Sequence, residues 1–317
     1  MTGRVVVVGD VVTDLVAVLA APIASGSDTP ARISAYGGGA GGNIAAWLVR
    51  AGVPVTLCGV VGADAAGSFQ VDELAAAGVT CAVRQCPDAA TGSVIVLSGA
   101  IEPDGSAGRT MITDRGANAL LGPDDVDAAV ASAPDAVHLH LSGYTLLDAG
   151  SSDAGRRALD AAAERGLTVS VDAASAEPLR HVGGPAFMSL VRRADVLFAN
   201  VAEARVLLGD GPGGGETLGA TDLAAALAMR LEGRTDVGGT AVVKLGASGA
   251  VAATSRGAVL PMAALAVDVR DTTGAGDAFA AGFLGAWLSG AEVGDALKAG
   301  TAFGALAVTM VGARPTA

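Results

Sequence analysis

The hydrophobic residues of this chain follow two patterns that alternate along its length. Predominantly apolar runs at 4–8, 55–62 and 196–199 are typical of strands buried on both faces of a parallel sheet. In the segment 44–51, by contrast, apolar residues share one face of a predicted helix. From residue 123 onward strand-like and helix-like segments alternate. This alternation predicts an α/β domain built from right-handed βαβ units.

Another group of predicted strands has a different character. Residues 31–36 alternate like a half-exposed strand, and the segments 91–98 and 108–113 are typical of an antiparallel pair joined by a turn. Antiparallel pairs of this kind do not fit a parallel βαβ arrangement. We therefore expect them to stand outside the main sheet.

Composition narrows the classes of function. The chain has 317 residues, 51% of them hydrophobic, which fits one α/β domain better than two equal ones. A formal charge of −12 would repel a phosphate backbone and argues against nucleic acid as a partner. The three cysteines form neither a metal motif nor a disulfide framework, so we expect a reducing, cytoplasmic environment. The apolar run 278–291 is too short to span a bilayer, and no membrane association is expected.

The segment 271–279, DTTGAGDAF, carries the strongest chemical signal. A glycine turn leads directly into an apolar helix, so backbone amides and the positive end of the helix dipole are aimed at one point. Such a point suits a phosphate, or the charge that develops while a phosphate is transferred. Asp277 lies in the first helical turn, where it either takes part in chemistry or only complements the dipole.

A second glycine-rich segment, 37–42, is followed by Asn43 at the start of a predicted helix. Glycines allow a substrate to lie against the backbone, and Asn43 offers both a donor and an acceptor. Asn43 is also a common type of helix cap. The glycine spacing matches GxGxxG, but the loop follows an outlying strand rather than the first buried one, so dinucleotide binding is the weaker interpretation.

Polar residues follow two other predicted strands. Asp10 and Asp14 flank the exit of the first strand, where carboxylates can accept hydrogen bonds from neighbouring sugar hydroxyls. Asn200 and Glu203 share a helical face after another strand and can hold a hydrated Mg²⁺ near phosphates. Solvated loop acids and a helix cap are the alternatives for these two pairs.

Taken with 9–14 (GDVVTD), 242–249 (VVKLGASG) and 311–316 (VGARPT), these motifs resemble the ribokinase-like, or PfkB, sugar kinases over nearly the whole chain. The resemblance implies one domain, 1–317, with a central, mostly parallel sheet and helices on both faces. It also implies a small β-lid contributed by about 15–36 and 82–114. The implied reaction transfers phosphate from ATP to a hydroxyl group, with Mg²⁺ and K⁺ as cofactors.

The same resemblance assigns roles to individual residues. The general base is Asp277, and the anion hole is formed by Gly274, Ala275 and Gly276. The substrate contacts are Asp14, Gly38, Gly39 and Asn43, together with Asp10. The ATP contacts are Lys244, Gly246, Gly249, Asn200 and Glu203, and Glu203 also acts on Mg²⁺ through water. The monovalent-cation site comprises Asp271, Thr273, Ala307, Gly312 and Thr316.

The substrate and the assembly stay open at this stage. Arg115 borders the lid and either recognises an anionic sugar acid or sugar phosphate or is an exposed arginine. Val12 and Ala40 depart from the ribokinase pattern, so ribose itself is not implied. A nucleoside kinase of the same family is the first alternative, and a Rossmann-type NAD(P) oxidoreductase is the second. Lid strands with exposed edges suggest a homodimer.

Overall fold

The computed structural model describes residues 3–101, 107–209 and 218–315. Within these ranges the strands are β1 Arg4–Val8, β2 Val12–Leu19, β3 Ala31–Gly38, β4 Val55–Gly62, β5 Thr80–Cys86, β6 Gly92–Ile101, β7 Ala107–Asp114, β8 Ala136–Ser142, β9 Thr168–Asp172, β10 Val196–Asn200, β11 Thr240–Lys244, β12 Ala250–Thr254 and β13 Val259–Met262. The helices are α1 Ala40–Arg50, α2 Ala65–Ala76, α3 Pro123–Ala131, α4 Tyr144–Leu147, α5 Ser152–Glu164, α6 Ala176–Val182, α7 Gly184–Val191, α8 Val201–Leu208, α9 Ala220–Ala228, α10 Ala275–Leu288 and α11 Val293–Ala307, with 3₁₀ turns at Gly116–Leu120 and Gly246–Ser248.

The larger sheet confirms the predicted mostly parallel architecture. Its strands run in the order β13-β12-β11-β10-β9-β8-β1-β4-β5. Neighbours from β11 to β5 pair in parallel, and β12 and β13 add an antiparallel hairpin at one edge. The apolar runs noted in the sequence form the centre: every residue of β4 is buried, as are the last four of β1. Strands without a polar face need helices on both sides.

Two helical layers cover this sheet. One apolar core joins Val5 and Val7 of β1 to α1, α10 and α11, and the other joins Val6 and Val8 to α3, α5 and α7–α9. Helix α10 packs closely because a side chain at Gly282 would meet Phe303 of α11 at 2.7 Å. Among the described residues, no helix is both long and apolar enough to cross a membrane.

A separate small sheet has the strand order β3-β2-β6-β7. It corresponds to the predicted lid, but one predicted boundary is wrong. Residues 80–86 form β5, which pairs in parallel with β4 from Thr56–Thr80 to Gly62–Cys86 and therefore belongs to the large sheet. The second pair of strands in the small sheet begins at Gly92, not at residue 82.

The carboxyl ends of parallel strands place polar residues along one edge of the large sheet. In the adjacent strands β11, β10 and β9 the last residues are Lys244, Asn200 and Asp172. Strand β8 ends at Ser142, and Asp10 follows β1. Residues from distant parts of the sequence are thereby collected at this edge, next to the small sheet that begins with β2.

Candidate active site

The turn before α10 depends on a glycine with a left-handed backbone. Gly274 caps the helix with φ 72° and ψ 1°, a conformation that disfavours other residues. A side chain there would also collide with Ala313. Helix α10 begins at Ala275, so the amides of 274–276 belong to the first turn, where intrahelical acceptors are missing. Asp277 lies in the same turn.

The glycine loop packs against the exit from β1. Gly39 has φ 87°, and a side chain on it would overlap the carbonyl group of Asp10. The amide of Gly42 donates to that carbonyl at 3.1 Å. Helix α1 begins at Ala40 with Gly39 as its cap, so Asn43 lies inside the helix. The alternative of Asn43 as a helix cap is therefore wrong.

Asn43 and Asp277 bring the two glycine-rich segments together. The Asn43 Nδ2 donates to Asp277 Oδ2 at 2.8 Å across a separation of 234 residues. The Asn43 Oδ1 is buried and has no hydrogen-bond partner among the residues described here. Burial raises the pKa of Asp277 to about 7, although the Asn43 hydrogen bond opposes this rise. The carboxyl group can therefore exchange a proton near neutral pH.

Lys244 is the central cation of the edge. Its Nζ donates to Asp172 Oδ2 at 2.6 Å and lies 3.3 Å from the position that a Gly276 Cβ would occupy. Burial alone would lower the Lys244 pKa, but the Asp172 and Glu203 carboxylates raise it. Lys244 thus stays charged beside the turn at the start of α10. Asp172 was not among the predicted site residues, although its position at the end of a buried strand is the same signal that indicates Asn200.

Glu203 and Asn200 form a reciprocal cap at the start of α8. Glu203 Oε2 accepts from the Asn200 amide at 2.7 Å, and the Asn200 Oδ1 accepts from the Glu203 amide at 2.9 Å. Burial raises the Glu203 pKa to about 7, and the nearby Asp172 and Asp277 add to the rise. The predicted alternative of a helix cap is present, but Glu203 is buried rather than a surface acid. The Glu203 carboxyl group therefore interacts electrostatically with Lys244, Asp172 and Asp277.

Asp10 and Arg115 contact each other. Arg115 donates through Nη2 and Nε to the two Asp10 oxygens at 2.6 and 3.0 Å. Its Nη1 also lies 3.2 Å from Asp148 and donates to Ser151 at 3.0 Å. The alternative of an exposed arginine is wrong, because only 14% of its side chain is exposed. Any anionic ligand at Arg115 has to compete with two carboxylates.

Asp14 lies on the small sheet above the glycine loop. It is buried, and a side chain at Gly38 would overlap its carboxylate.

Two aromatic residues, Tyr144 and Trp47, have different environments. Burial raises the pKa of the Tyr144 phenol to about 12, and the charges of Asp10 and Asp277 add to the rise. Trp47 of α1 instead packs in the core, where its indole donates to the Ala313 carbonyl at 2.9 Å.

The candidate monovalent-cation residues are partly brought together. Asp271 Oδ1 accepts from the Thr273 amide and hydroxyl at 2.9 and 2.7 Å, and its Oδ2 accepts from the Gly312 amide at 3.0 Å. The backbone of Asp271 lies against the end of α11, the helix that finishes at Ala307. Thr316 lies outside the described residues.

The candidate ATP residues divide into two groups. Asn200, Lys244 and Gly246 line a cavity of about 570 Å³ together with Val201, Ala202, Leu245 and Ser248. Gly249 instead has φ 99°, and a side chain on it would overlap the carbonyl of Met262 in the neighbouring strand. This contact accounts for Gly249 by strand packing alone.

The whole chain can be compared with known families once this geometry is established. Residues 2–317 match the model of the pfkB family of carbohydrate kinases. The chain belongs to this family. Its resemblance in sequence to such kinases is thereby confirmed, and the oxidoreductase alternative is wrong. The glycine loop of this kinase follows a strand of the small sheet and does not open a βαβ unit.

Relatives of this PfkB kinase include enzymes that act on phosphorylated sugars. An ATP-dependent ribose-1-phosphate kinase from Halopiger xanaduensis is 32% identical over 283 residues, which cover 89% of this chain and 84% of the relative. A 1-phosphofructokinase from Rhodobacter capsulatus is 30% identical, with 87% and 80% covered. A proposed ribokinase II from E. coli, solved with ATP and Mg²⁺, has 25% identity and a TM-score of 0.80, with 98% and 94% covered.

Two histidines near the site are core residues of the large sheet. His138 and His140 are buried on β8 and both contact the hydroxyl of Ser170, at 2.7 and 2.8 Å. Within the described part of the chain, no group of three or more His, Cys, Asp or Glu side chains is arranged to hold a metal ion.

Proposed function

We propose that this PfkB kinase transfers the γ-phosphoryl group of ATP to a hydroxyl group of a sugar or sugar derivative, with Asp277 as general base. The contact between Asn43 and Asp277 carries the proposal, because it joins the glycine loop to the start of α10. An acceptor hydroxyl beside this contact would donate to the Asp277 carboxylate, and a neighbouring hydroxyl would donate to the buried Asn43 Oδ1. Asp14 and Gly39 then supply the remaining contacts to the sugar.

In this proposal the first turn of α10 stabilises the negative charge of the transferred phosphoryl group. The amides of Gly274, Ala275 and Gly276 would serve as the anion hole, and Lys244 adds a positive charge next to Gly276. Phosphoryl transfer needs positioning and electrostatic stabilisation more than covalent chemistry from the protein. An in-line attack by the acceptor hydroxyl is consistent with these elements, with ATP lying along Asn200 and Gly246.

Magnesium and a monovalent cation fit different parts of this arrangement. Glu203 is a buried carboxylate close to Asp172 and Asp277, and a hydrated Mg²⁺ beside it would relieve their repulsion. Bound Mg²⁺ supplies neutralisation of phosphate charge. Asp271 lies against the carboxyl end of α11, where the helix dipole favours a cation such as K⁺. Replacing K⁺ by a bulky organic cation at constant ionic strength should lower turnover, and equal rates would remove the K⁺ proposal.

A screen of acceptors tests the function directly. ATP consumption should be followed with pentoses, hexoses, sugar acids, sugar phosphates and nucleosides, and each product should be identified. We expect one of the sugar classes to give the highest kcat/KM. Arg115 is held by Asp10 and Asp148, so a sugar acid or sugar phosphate that binds Arg115 would have to displace this pairing. If only the nucleosides are phosphorylated, the sugar assignment is rejected.

The small sheet also supports a homodimer. Leu15, Ile33, Ile95 and Ile112 lie on one exposed face of it, with Ile33 68% exposed. β3 and β7 are the outer strands of this sheet, and an outer strand can pair with the same strand of a second copy. Sedimentation of the parent protein and of the Ile33→Lys variant tests this arrangement. If the parent protein sediments as a monomer at high concentration, the homodimer is rejected.

A further inference from the structure

Residues 312–314, here called the C-terminal strap, contact three segments that border the proposed acceptor site: the turn before α10, helix α1 and the glycine loop. The Gly312 amide donates to Asp271 at 3.0 Å, which ties the strap to the turn before α10. The Ala313 carbonyl accepts from the indole of Trp47 at 2.9 Å, which ties it to α1. The side chain of Arg314 reaches in the remaining direction, toward the glycine loop. Three consecutive residues thus join segments that are far apart in the sequence.

Arg314 is the most buried cation of this region outside the Lys244 cluster. Only 5% of its side chain is exposed. Its Nη2 donates to the Gly38 carbonyl at 2.8 Å, and its Nη1 donates to Glu73 of α2 at 2.9 Å. The guanidinium occupies the space that side chains at Gly37 and Gly42 would fill. These two glycines are therefore required by Arg314 as much as by any ligand.

We propose that Arg314 is a positioning residue for the acceptor: it holds the glycine loop in the shape that presents Asp14, Gly39 and Asn43 to the sugar. This inference rests on the proposed sugar kinase function. Gly38 is the point of transmission, since its carbonyl binds Arg314 while its Cα lies against the Asp14 carboxylate. A shift of the loop would move Asp14 and the start of α1 together.

The planar fork of arginine is needed for this role. Two parallel donors on separate nitrogens reach the Gly38 carbonyl and Glu73 at the same time, whereas a lysine has one nitrogen at the end of a flexible stem. Burial opposes the charge and lowers the pKa of Arg314, while Glu73 and Asp14 counteract this effect. The charge of Arg314 is thus balanced by Glu73 of α2 and by Asp14 of the proposed sugar site.

The test compares Arg314→Lys, Arg314→Gln and Glu73→Gln with the parent enzyme on its best acceptor. We expect Arg314→Lys to raise the acceptor KM about tenfold and Arg314→Gln to raise it further, while the KM for ATP changes less than about twofold. Glu73→Gln leaves the bond to Gly38 in place and should have a smaller effect of the same kind. Arg165→Lys is the matched control, since Arg165 also donates to backbone carbonyls, of Val130, Ala133 and Pro134, away from the site.

Amide hydrogen exchange of the ligand-free protein gives a second readout that does not depend on activity. Exchange of residues 37–43 should quicken in Arg314→Lys and stay parental in Arg165→Lys. Equal rises in both KM values, or unchanged exchange in this loop, would show that Arg314 only stabilises the fold and would overturn the proposal. If the parent phosphorylates none of the acceptors, the proposed function fails, while the exchange data still decide whether Arg314 holds the loop.

Discussion

Polar side chains lie at two places on the same face of the large sheet. In its interior, Thr168, His138, Ser170 and His140 form a histidine cluster, in which the ring nitrogens of His138 bond Thr168 and Ser170 at 2.8 and 2.7 Å. At its carboxyl edge, Asp172, Lys244, Glu203 and Asp277 form an edge cluster. Strand β9 contributes Ser170 to one cluster and Asp172 to the other.

The two clusters differ in charge at neutral pH. Burial lowers the pKa of His138 to about 3 and that of His140 to about 4, so both rings stay neutral and bond each other through one hydroxyl. Burial raises the pKa of Asp277 and of Glu203 to about 7 instead. The two buried histidines titrate far from neutrality, whereas Asp277 and Glu203 at the edge are able to exchange protons near neutral pH.

Replacing Asp277 by Asn has the largest expected effect, and this effect is on the rate of catalysis. The substitution keeps the size and most hydrogen bonding of the side chain but removes the group that accepts the proton. Loss of a general base typically costs about 10² to 10⁴ in rate. Single-turnover phosphotransfer should therefore collapse, while calorimetry should still detect binding of acceptor and ATP.

Asp295→Asn is the matched control for this variant. Asp295 occupies the first turn of α11 as Asp277 does that of α10, but it is exposed. A carboxylate that only complements a helix dipole contributes about 0.3 to 1 kcal/mol of stability. Asp295→Asn should therefore turn over at the parental rate. An Asp277→Asn enzyme with near-parental turnover would make Asp277 a dipole partner and not the base.

The same Asp277→Asn variant should be more stable than the parent above neutral pH. The folded-state pKa of about 7 lies above the ordinary value of 3.8, so the unfolded chain loses this proton first and stability falls as pH rises from about 4 to 7. Removing the carboxyl group should raise the free energy of unfolding by on the order of 2 kcal/mol at pH 8 and by little at pH 4. Denaturant unfolding in metal-free buffer measures both. A stability loss at pH 8 would contradict the raised pKa of Asp277 in the folded state.

The sequence predicts much of the edge cluster because parallel strands end at one edge. Sequence motifs and strand ends together indicate Asn200, Lys244 and Asp277, and the same rule applied to β9 would have selected Asp172. The sequence does not show that Asn43 contacts Asp277, because that bond depends on the packing of α1 against α10. Motifs predict which segments are functional, and packing decides which atoms meet.

Three other features lay beyond the sequence for physical reasons. The pairing of Asp10 with Arg115 joins the exit of β1 to the end of β7, 105 residues away. Arg314 carries no local signal, because its partners come from α2 and the glycine loop. The resemblance assigned residues 82–86 to the lid, and only the parallel pairing of β5 with β4 places them in the large sheet.

The pH dependence of catalysis sharpens the assignment within the edge cluster. Asp277 must be ionised to accept a proton, so kcat/KM should fall about tenfold per pH unit below pH 7 and level off above it. Glu203 has a similar pKa and is the competing source of this limb. We expect Glu203→Gln to keep the acid limb, although its Mg²⁺ requirement rises. Loss of the limb in Glu203→Gln would assign the titration to Glu203.

The smallest effect on turnover is expected for His140→Asn, in the histidine cluster. An asparagine amide can take the place of Nδ1, which bonds Ser170 at 2.8 Å. Since this ring faces Ser170 and stays neutral, kcat and both KM values should remain within about twofold of the parent. The exposed His181, replaced in His181→Asn, controls for the loss of an imidazole at the surface.

The histidine cluster should instead affect how the free energy of unfolding changes with pH in acid. A folded pKa of about 4, below the ordinary 6.5, means that the unfolded chain binds a proton first as pH falls, so stability is lost from about pH 6.5 downward. This loss amounts to about 1.4 kcal/mol per pH unit for one histidine. Between pH 6 and 5 the unfolding free energy of His140→Asn should fall less steeply than that of the parent by about this amount, whatever its absolute stability. An unchanged slope together with a turnover reduced more than tenfold would instead connect His140 to Lys244 and the edge cluster.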